Sequence, residues 1–168
     1  GVNISIEKGQ TVAITGRSGS GKTTLLTLLA GLDRPTHGQI SILGKNLTSM
    51  SEKEMGQFRG ENIGIVFQKF HLMPYLTALE NVSLPLEILG VKDADKKASE
   101  ALALVGLEDR LTHLPAQLSG GECQRVAIAR ALVTGPSILL ADEPSGNLDS
   151  HTGQKVMDLL FELAEKKK

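Results

Sequence analysis

A single cysteine, Cys123, stands in the whole chain, so no internal disulfide can form and the composition fits a reducing compartment. Charge of one sign is not in excess either. With 18 Lys and Arg against 19 Asp and Glu, the formal net charge is -1, which gives no reason, from charge alone, to expect a surface for nucleic acid or an anionic membrane. No stretch approaches the roughly 20 apolar residues that a membrane-spanning helix needs, and the opening GVNISIEKGQ has no signal-peptide pattern. Internal repeats, low-complexity tracts and linkers are missing too. So is an initiator methionine: Gly1 leads straight into the alternation of Val2, Ile4 and Ile6, and the far end stops at Lys166-Lys167-Lys168. Both ends read as cut from something longer. What is present suits one soluble domain, since 168 residues can bury roughly 68 to 70% of their unfolded surface.

Residues 2–6 and 10–15 alternate like two short strands around a Lys8-Gly9 turn. A glycine-rich loop, Gly16 to Gly21, precedes a helical pattern from Lys22 to Ala30 that Gly31 closes. Gln39 to Leu43 predicts a strand, Ser51 to Arg59 a short helix, and Ile63 to Phe67 a largely buried strand ending at Gln68. From Lys69 to Leu118 strand signals stop. Helical patterns occupy Leu79 to Leu89, which Pro85 should kink or break, and Asp93 to Val105. Another helix begins near Ser119, Ser137 to Ala141 is the continuous apolar run of a central parallel strand, and a last helix runs from about Ser150 to Glu165. The layout is an α/β core interrupted by a helical insertion.

Two constellations carry chemistry. Gly16-Arg17-Ser18-Gly19-Ser20-Gly21-Lys22-Thr23 is the P-loop pattern, in the strand, loop, helix order the motif requires. A triphosphate is densely anionic. Glycines let backbone N–H groups curl around it, the following helix N-terminus adds a favourable dipole, Lys22 adds a point charge, and the Thr23 hydroxyl is placed for Mg²⁺. Thr24 completes the nucleotide-binding set. The second constellation is Asp142-Glu143, at the C-terminal end of an apolar strand, where open α/β sheets bind their ligands. Asp142 would complete the Mg²⁺ environment, directly or through water, and Glu143 would orient or deprotonate the attacking water.

A third stretch raises a question. Ser119-Gly120-Gly121-Glu122 opens an amphipathic helix, yet glycine costs about 1 kcal/mol relative to alanine inside a helix. Ser119 and Glu122 form a capping box, which leaves the glycines unexplained.

Together these segments resemble the ATP-binding subunit of an ABC transporter, whose signature is Leu118-Ser119-Gly120-Gly121-Glu122. The resemblance covers essentially the whole chain. It implies a RecA-like P-loop NTPase core, with a mostly parallel sheet flanked by helices, over residues 1–68 and 135–168, and an α-helical signature subdomain over 69–134. It also implies that Ser119, Gly120, Gly121 and Glu122 grip ATP held by a second subunit, the glycines baring a helix N-terminus to the partner's phosphate. Gln68 then senses Mg²⁺, beside Thr23 and Asp142, and Asp149 lies at the dimer interface. The partners implied are a second ATP-binding subunit and transmembrane permease subunits, with no nucleic acid. The location implied is cytoplasmic, at the inner face of the inner membrane. The runs Thr77 to Val82 and Glu143 to Asp149 look most like the bacterial lipoprotein-releasing and macrolide-exporter group. Nothing in the motifs selects the cargo, and the segment from Lys69 to about Glu87 is expected to choose the membrane partner.

Departures from the family pattern are few. Cys123 replaces a more usual glutamine; a helix N-terminus can lower a thiol pKa, although a tolerated substitution facing the subdomain is the simpler reading. Ser145 replaces threonine. The adenine-stacking aromatic is missing, since Tyr75 lies beyond Gln68, and its loss of about 0.5 to 1.5 kcal/mol would weaken ATP binding roughly two- to tenfold. The switch histidine is missing as well, because His37, His71 and His113 precede the Asp142 strand and His151 starts the last helix. These gaps predict a fragment lacking its first strand and its last strands and helices, which hydrolyses ATP poorly or not at all while its parent hydrolyses it. The alternatives are a nucleotide-loaded but idle module and a non-transport ABC ATPase. The latter calls for a long coiled coil where only 50 residues separate Gln68 from Ser119. A kinase or GTPase would lack the signature.

Overall fold

The computed structural model describes residues 1–165. Helix α1, Lys22–Leu29, follows the glycine loop. Ser51 and Glu54 cap each other's backbone N–H groups to start α2, Glu52–Asn62, and the β-branched run that follows passes directly into β3, Ile63–Val66. Its neighbour is β4, Ile138–Ala141, parallel and in register from Ile63 with Ile138 to Val66 with Ala141. Parallel neighbours need a long crossover. Here it carries α3, Ala78–Ile88, α4, Ala94–Leu104, and α5, Gly120–Leu132, and after β4 comes α6, Ser150–Glu165.

The main core lies where α3, α4, α5 and α6 meet β3, with Val66, Val82, Leu102, Val126, Ile128 and Val156 all buried. Each such side chain contributes roughly 1.5–3 kcal/mol. A smaller cluster joins Leu47, Met55, Phe58 and Ile63. Packing between α5 and β3 leaves no room at Gly64, where a Cβ would overlap the Ala131 carbonyl oxygen and come within 3.0 Å of the Pro136 ring. Gly64→Ala should therefore destabilise the chain by about 1–3 kcal/mol, the usual cost of overpacking, seen as a lower urea midpoint at unchanged slope.

Three expectations need correction. Residues 2–6 and 10–15 are not strands: all but the half-buried Ile14 lie exposed, and among the described residues only the Lys8-Gly9 turn forms there, with the Gln10 N–H donating to the Glu7 carbonyl at 3.2 Å. A strand exists only where a neighbouring backbone completes its ladder, and among the described residues the parallel pairing is confined to β3 and β4. The Gln39 to Leu43 strand shrinks to β1, Ser41–Ile42, hairpinned with β2, Lys45–Asn46. Leu43 and Gly44 between them both have positive φ, as a two-residue hairpin loop of the primed type requires. Of the kink or break expected at Pro85, the break does not occur: α3 runs through it. The proline removes one backbone hydrogen bond, and burial of Val82 and Leu86 on either side outweighs a penalty of about 3 kcal/mol.

Candidate functional site

Because β3 and β4 run parallel and in register, the residues that follow them emerge at the same edge. The ladder continues one step further, with the Asp142 N–H donating to the Val66 carbonyl at 2.9 Å, so Phe67-Gln68 and Asp142-Glu143 leave the sheet side by side. The start of α1 meets them there: Thr23, Leu26 and Thr27 share a small cavity with Ile65, Phe67 and Asp142.

The glycine loop turns tightly, although among the described residues no strand precedes it. Gly19 and Gly21 hold φ of 76° and 91°, a region that favours glycine, and the Ser20 N–H turns back to the Arg17 carbonyl at 3.1 Å. Gly21 has no side chain with which to cap α1, and the first turn carries no acidic residue. The start of α1 is thus an uncapped, positive dipole end. The Lys22 ammonium donates to the carbonyls of Gly16 at 3.1 Å and Arg17 at 3.3 Å, and stands 3.8 Å from the Glu143 carboxylate. The Glu143 side chain is half exposed, so this pair is worth at most about 1 kcal/mol. Its interest is positional. Glu143 adopts φ 45°, a conformation that costs a non-glycine residue of order 1–3 kcal/mol and clusters at functional sites.

Gln68 is turned elsewhere. Its carbonyl accepts from the Asn147 side chain at 2.9 Å, and a Cβ on Gly146 would sit 2.7 Å from its Nε2. Of the expected Mg²⁺ set, the structure brings Thr23 and Asp142 to one cavity and packs Gln68 against the loop of residues 145–149. Asp149 caps α6, accepting from the Thr152 N–H at 3.0 Å. Contacts with Thr152, side chain first, lower its pKa.

Ser119 and Glu122 form the capping box at the start of α5. The Glu122 carboxylate accepts from the Ser119 N–H at 2.8 Å and from Arg110 Nε at 3.1 Å, and the Ser119 backbone bond leads the effects that hold its pKa down at about 2. The two glycines differ. Gly120 is exposed, whereas Gly121 is buried, and a Cβ there would meet Thr152 Cγ2 at 2.6 Å. A partner's phosphate is therefore not needed to explain Gly121; packing of α5 on α6 already is. Cys123 is buried with its Sγ against the Pro115 carbonyl at 3.5 Å. Burial, then the Glu122 charge, pushes its pKa up, which suits a tolerated substitution and not an activated thiol.

Sequence reasoning missed two residues of α5. Gln124, fully buried, donates to the Pro144 carbonyl at 2.6 Å and more weakly to that of Phe67 at 3.5 Å, and Arg130 donates to the carbonyls of His71 and Phe70 at 2.6 and 2.8 Å. Their only signal is polarity on a helix that is otherwise mostly core.

No described helix is long and apolar enough to cross a membrane. A family model described as ABC transporter matches residues 1–146. The lipoprotein-releasing system ATP-binding protein LolD of Legionella pneumophila (strain Lens) is 56% identical over 168 residues, 99% of this chain and 74% of that protein. The uncharacterized ABC transporter ATP-binding protein YbbA of Escherichia coli (strain K12) is 51% identical over 165 residues, 97% of this chain and 72% of that protein. Among solved structures, a dimeric, post-hydrolysis state of the ATP-binding cassette MJ0796 bound to ADP and Pi matches with TM-score 0.89 and 46% identity, over 98% of this chain and 74% of that one. With a P-loop NTPase fold and these matches, the chain belongs to the ABC transporter family, as an ATP-binding subunit of its transport ATPases.

Proposed function

We propose that two copies of this chain sandwich MgATP head to tail and use its hydrolysis to drive a membrane partner that extracts lipoproteins or similarly hydrophobic cargo. The observation that carries it is the uncapped, electropositive start of α1 with Lys22 facing Glu143 at 3.8 Å. In this reading residues 1–68 and 135–168 are the ATP-binding core and 69–134 the helical signature subdomain. The amides of Gly16 to Thr24 wrap the phosphates, Lys22 leaves its carbonyl partners for the outer phosphates, and Glu143 holds or deprotonates the attacking water. Thr23 and Asp142, which share a cavity wall, would hold Mg²⁺, and Gln68 would join them only by turning away from the loop of residues 145–149. When bound, the ion offsets phosphate charge.

In the dimer, exposed Ser119 and Gly120 offer backbone to the partner's nucleotide, while buried Gly121 and the Glu122 carboxylate shape the helix start and Asp149 stands nearby through α6. The lipoprotein assignment comes from the LolD relative. A cleft lined by Gln57, Gly60, His71, Pro85, Ile88 and Arg130 runs between α2 and α3. It adjoins the segment after Gln68, which suits it to receive a permease and so to hold the chain at the cytoplasmic face of the inner membrane.

Sedimentation with MgATP, comparing the chain with Gly120→Asp, tests the sandwich. An acidic residue in the first turn of α5 suits the helix dipole but opposes a partner's phosphate. MgATP affinity of the single chain should stay within about threefold, and the dimer dissociation constant should rise at least about tenfold, or 1.4 kcal/mol. Equal dimerisation by both proteins would remove the signature segment from the reading.

A further inference from the structure

The loop that carries Gln68 is gripped from outside at nearly every carbonyl. Gln124 takes that of Phe67, Asn147 that of Gln68, and Arg130 those of Phe70 and His71. Phe70 and His71 are consecutive non-glycine residues in the left-handed region, with φ of 57° and 49°. Residues hold such a conformation only where their surroundings impose it. Arg130 can impose it because its planar fork reaches two carbonyls at once, from Nη1 and Nη2.

We propose that Arg130 is a positioning residue for Gln68: by locking the Phe70–His71 turn from the far end of the signature helix, it fixes the loop on which ATP turnover depends. Gln124 holds the other end of the same loop and, through Pro144, the exit from Glu143. The signature helix thus ties both sheet-edge motifs together. Arg130 and His71 also line the cleft assigned to the membrane partner, so an occupant there bears on the same turn. The link to turnover rests on the ATPase reading above; the lock itself does not.

Hydrogen exchange, MgATP affinity and single-turnover hydrolysis, measured on the chain, Arg130→Lys and Arg130→Met, test this. In Arg130→Met, amides of residues 67–73 should exchange at least about tenfold faster while those of α3 and α4 keep their protection. Hydrolysis should slow at least about tenfold at an affinity within about twofold, because small displacements near reacting groups cost rate rather than binding. Arg130→Lys, with one point charge, should fall between. Unchanged exchange over 67–73 overturns the lock whatever turnover does. Uniform loss of protection, affinity and rate in both variants marks Arg130 as merely structural and overturns the proposal too. If Arg130→Met does not fold, Arg130→Lys alone carries the comparison. Where the unsubstituted chain hydrolyses ATP too slowly for the rates to be compared, the exchange result decides the lock.

Discussion

Replacing Glu143 with glutamine should slow ATP hydrolysis roughly 10²- to 10⁴-fold, the range that a positioned general base contributes, with MgATP affinity within about threefold. Three features converge on this residue. It leaves β4 one step after the ladder ends at Asp142, its left-handed backbone turns it off the strand's path, and its carboxylate reaches within 3.8 Å of Lys22. Glutamine keeps the shape and removes the proton acceptor. It also removes one negative charge beside the position proposed for the outer phosphates, so affinity should rise, if it moves at all. Single-turnover phosphate release is the measurement, because it reads slow chemistry without requiring repeated cycles. A rate within about threefold of the unsubstituted chain would assign the base elsewhere. A slowed rate accompanied by an equally weakened affinity would make Glu143 a binding residue instead.

The parts of this site that were legible from sequence are those whose chemistry is local. A glycine loop before Lys22, a capping box from Ser119 to Glu122 and two acids behind an apolar run each depend on neighbours in the chain, and each appears in the structure where the pattern placed it. The failures are all non-local. Val2 to Ile6 alternates as a strand should, but alternation describes a face, and only a partner strand makes a ladder. Pro85 carries a local penalty that the packing of α3 outweighs, a balance invisible to periodicity. The approach of Lys22 to Glu143 joins positions 121 residues apart (143 less 22). Gln124 and Arg130 read as interruptions of an apolar face until the carbonyls they serve, in loops about 20 and 60 positions away, are brought beside α5. Gly121 shows the same limit from the other direction: its smallness had a functional explanation in the motif and has a packing one in Thr152.

Lys22→Ala should weaken MgATP binding about 10- to 100-fold by calorimetry, since a charge-assisted hydrogen bond contributes about 1.5–3 kcal/mol. Loss of folding does not explain such an effect. The Lys22 bonds to Gly16 and Arg17 are exposed, alanine is the best helix former at the first position of α1, and the turn between Arg17 and Ser20 uses backbone alone. What disappears is the one ammonium that the loop itself aims inward. Its bonds to two carbonyls and its approach to Glu143 must be exchanged for phosphate contacts, so the measured loss is the difference between those two states. That difference makes Glu143 a diagnostic partner. If phosphate replaces the carboxylate at Lys22, the combined variant Lys22→Ala with Glu143→Gln should bind MgATP more weakly than the product of the two single effects predicts, because Glu143→Gln gains from breaking the ion pair only while Lys22 is present. Strict additivity would mean that Lys22 and Glu143 do not share a ligand, and a loss below about threefold in Lys22→Ala would leave the backbone amides of α1 as the whole of the phosphate site.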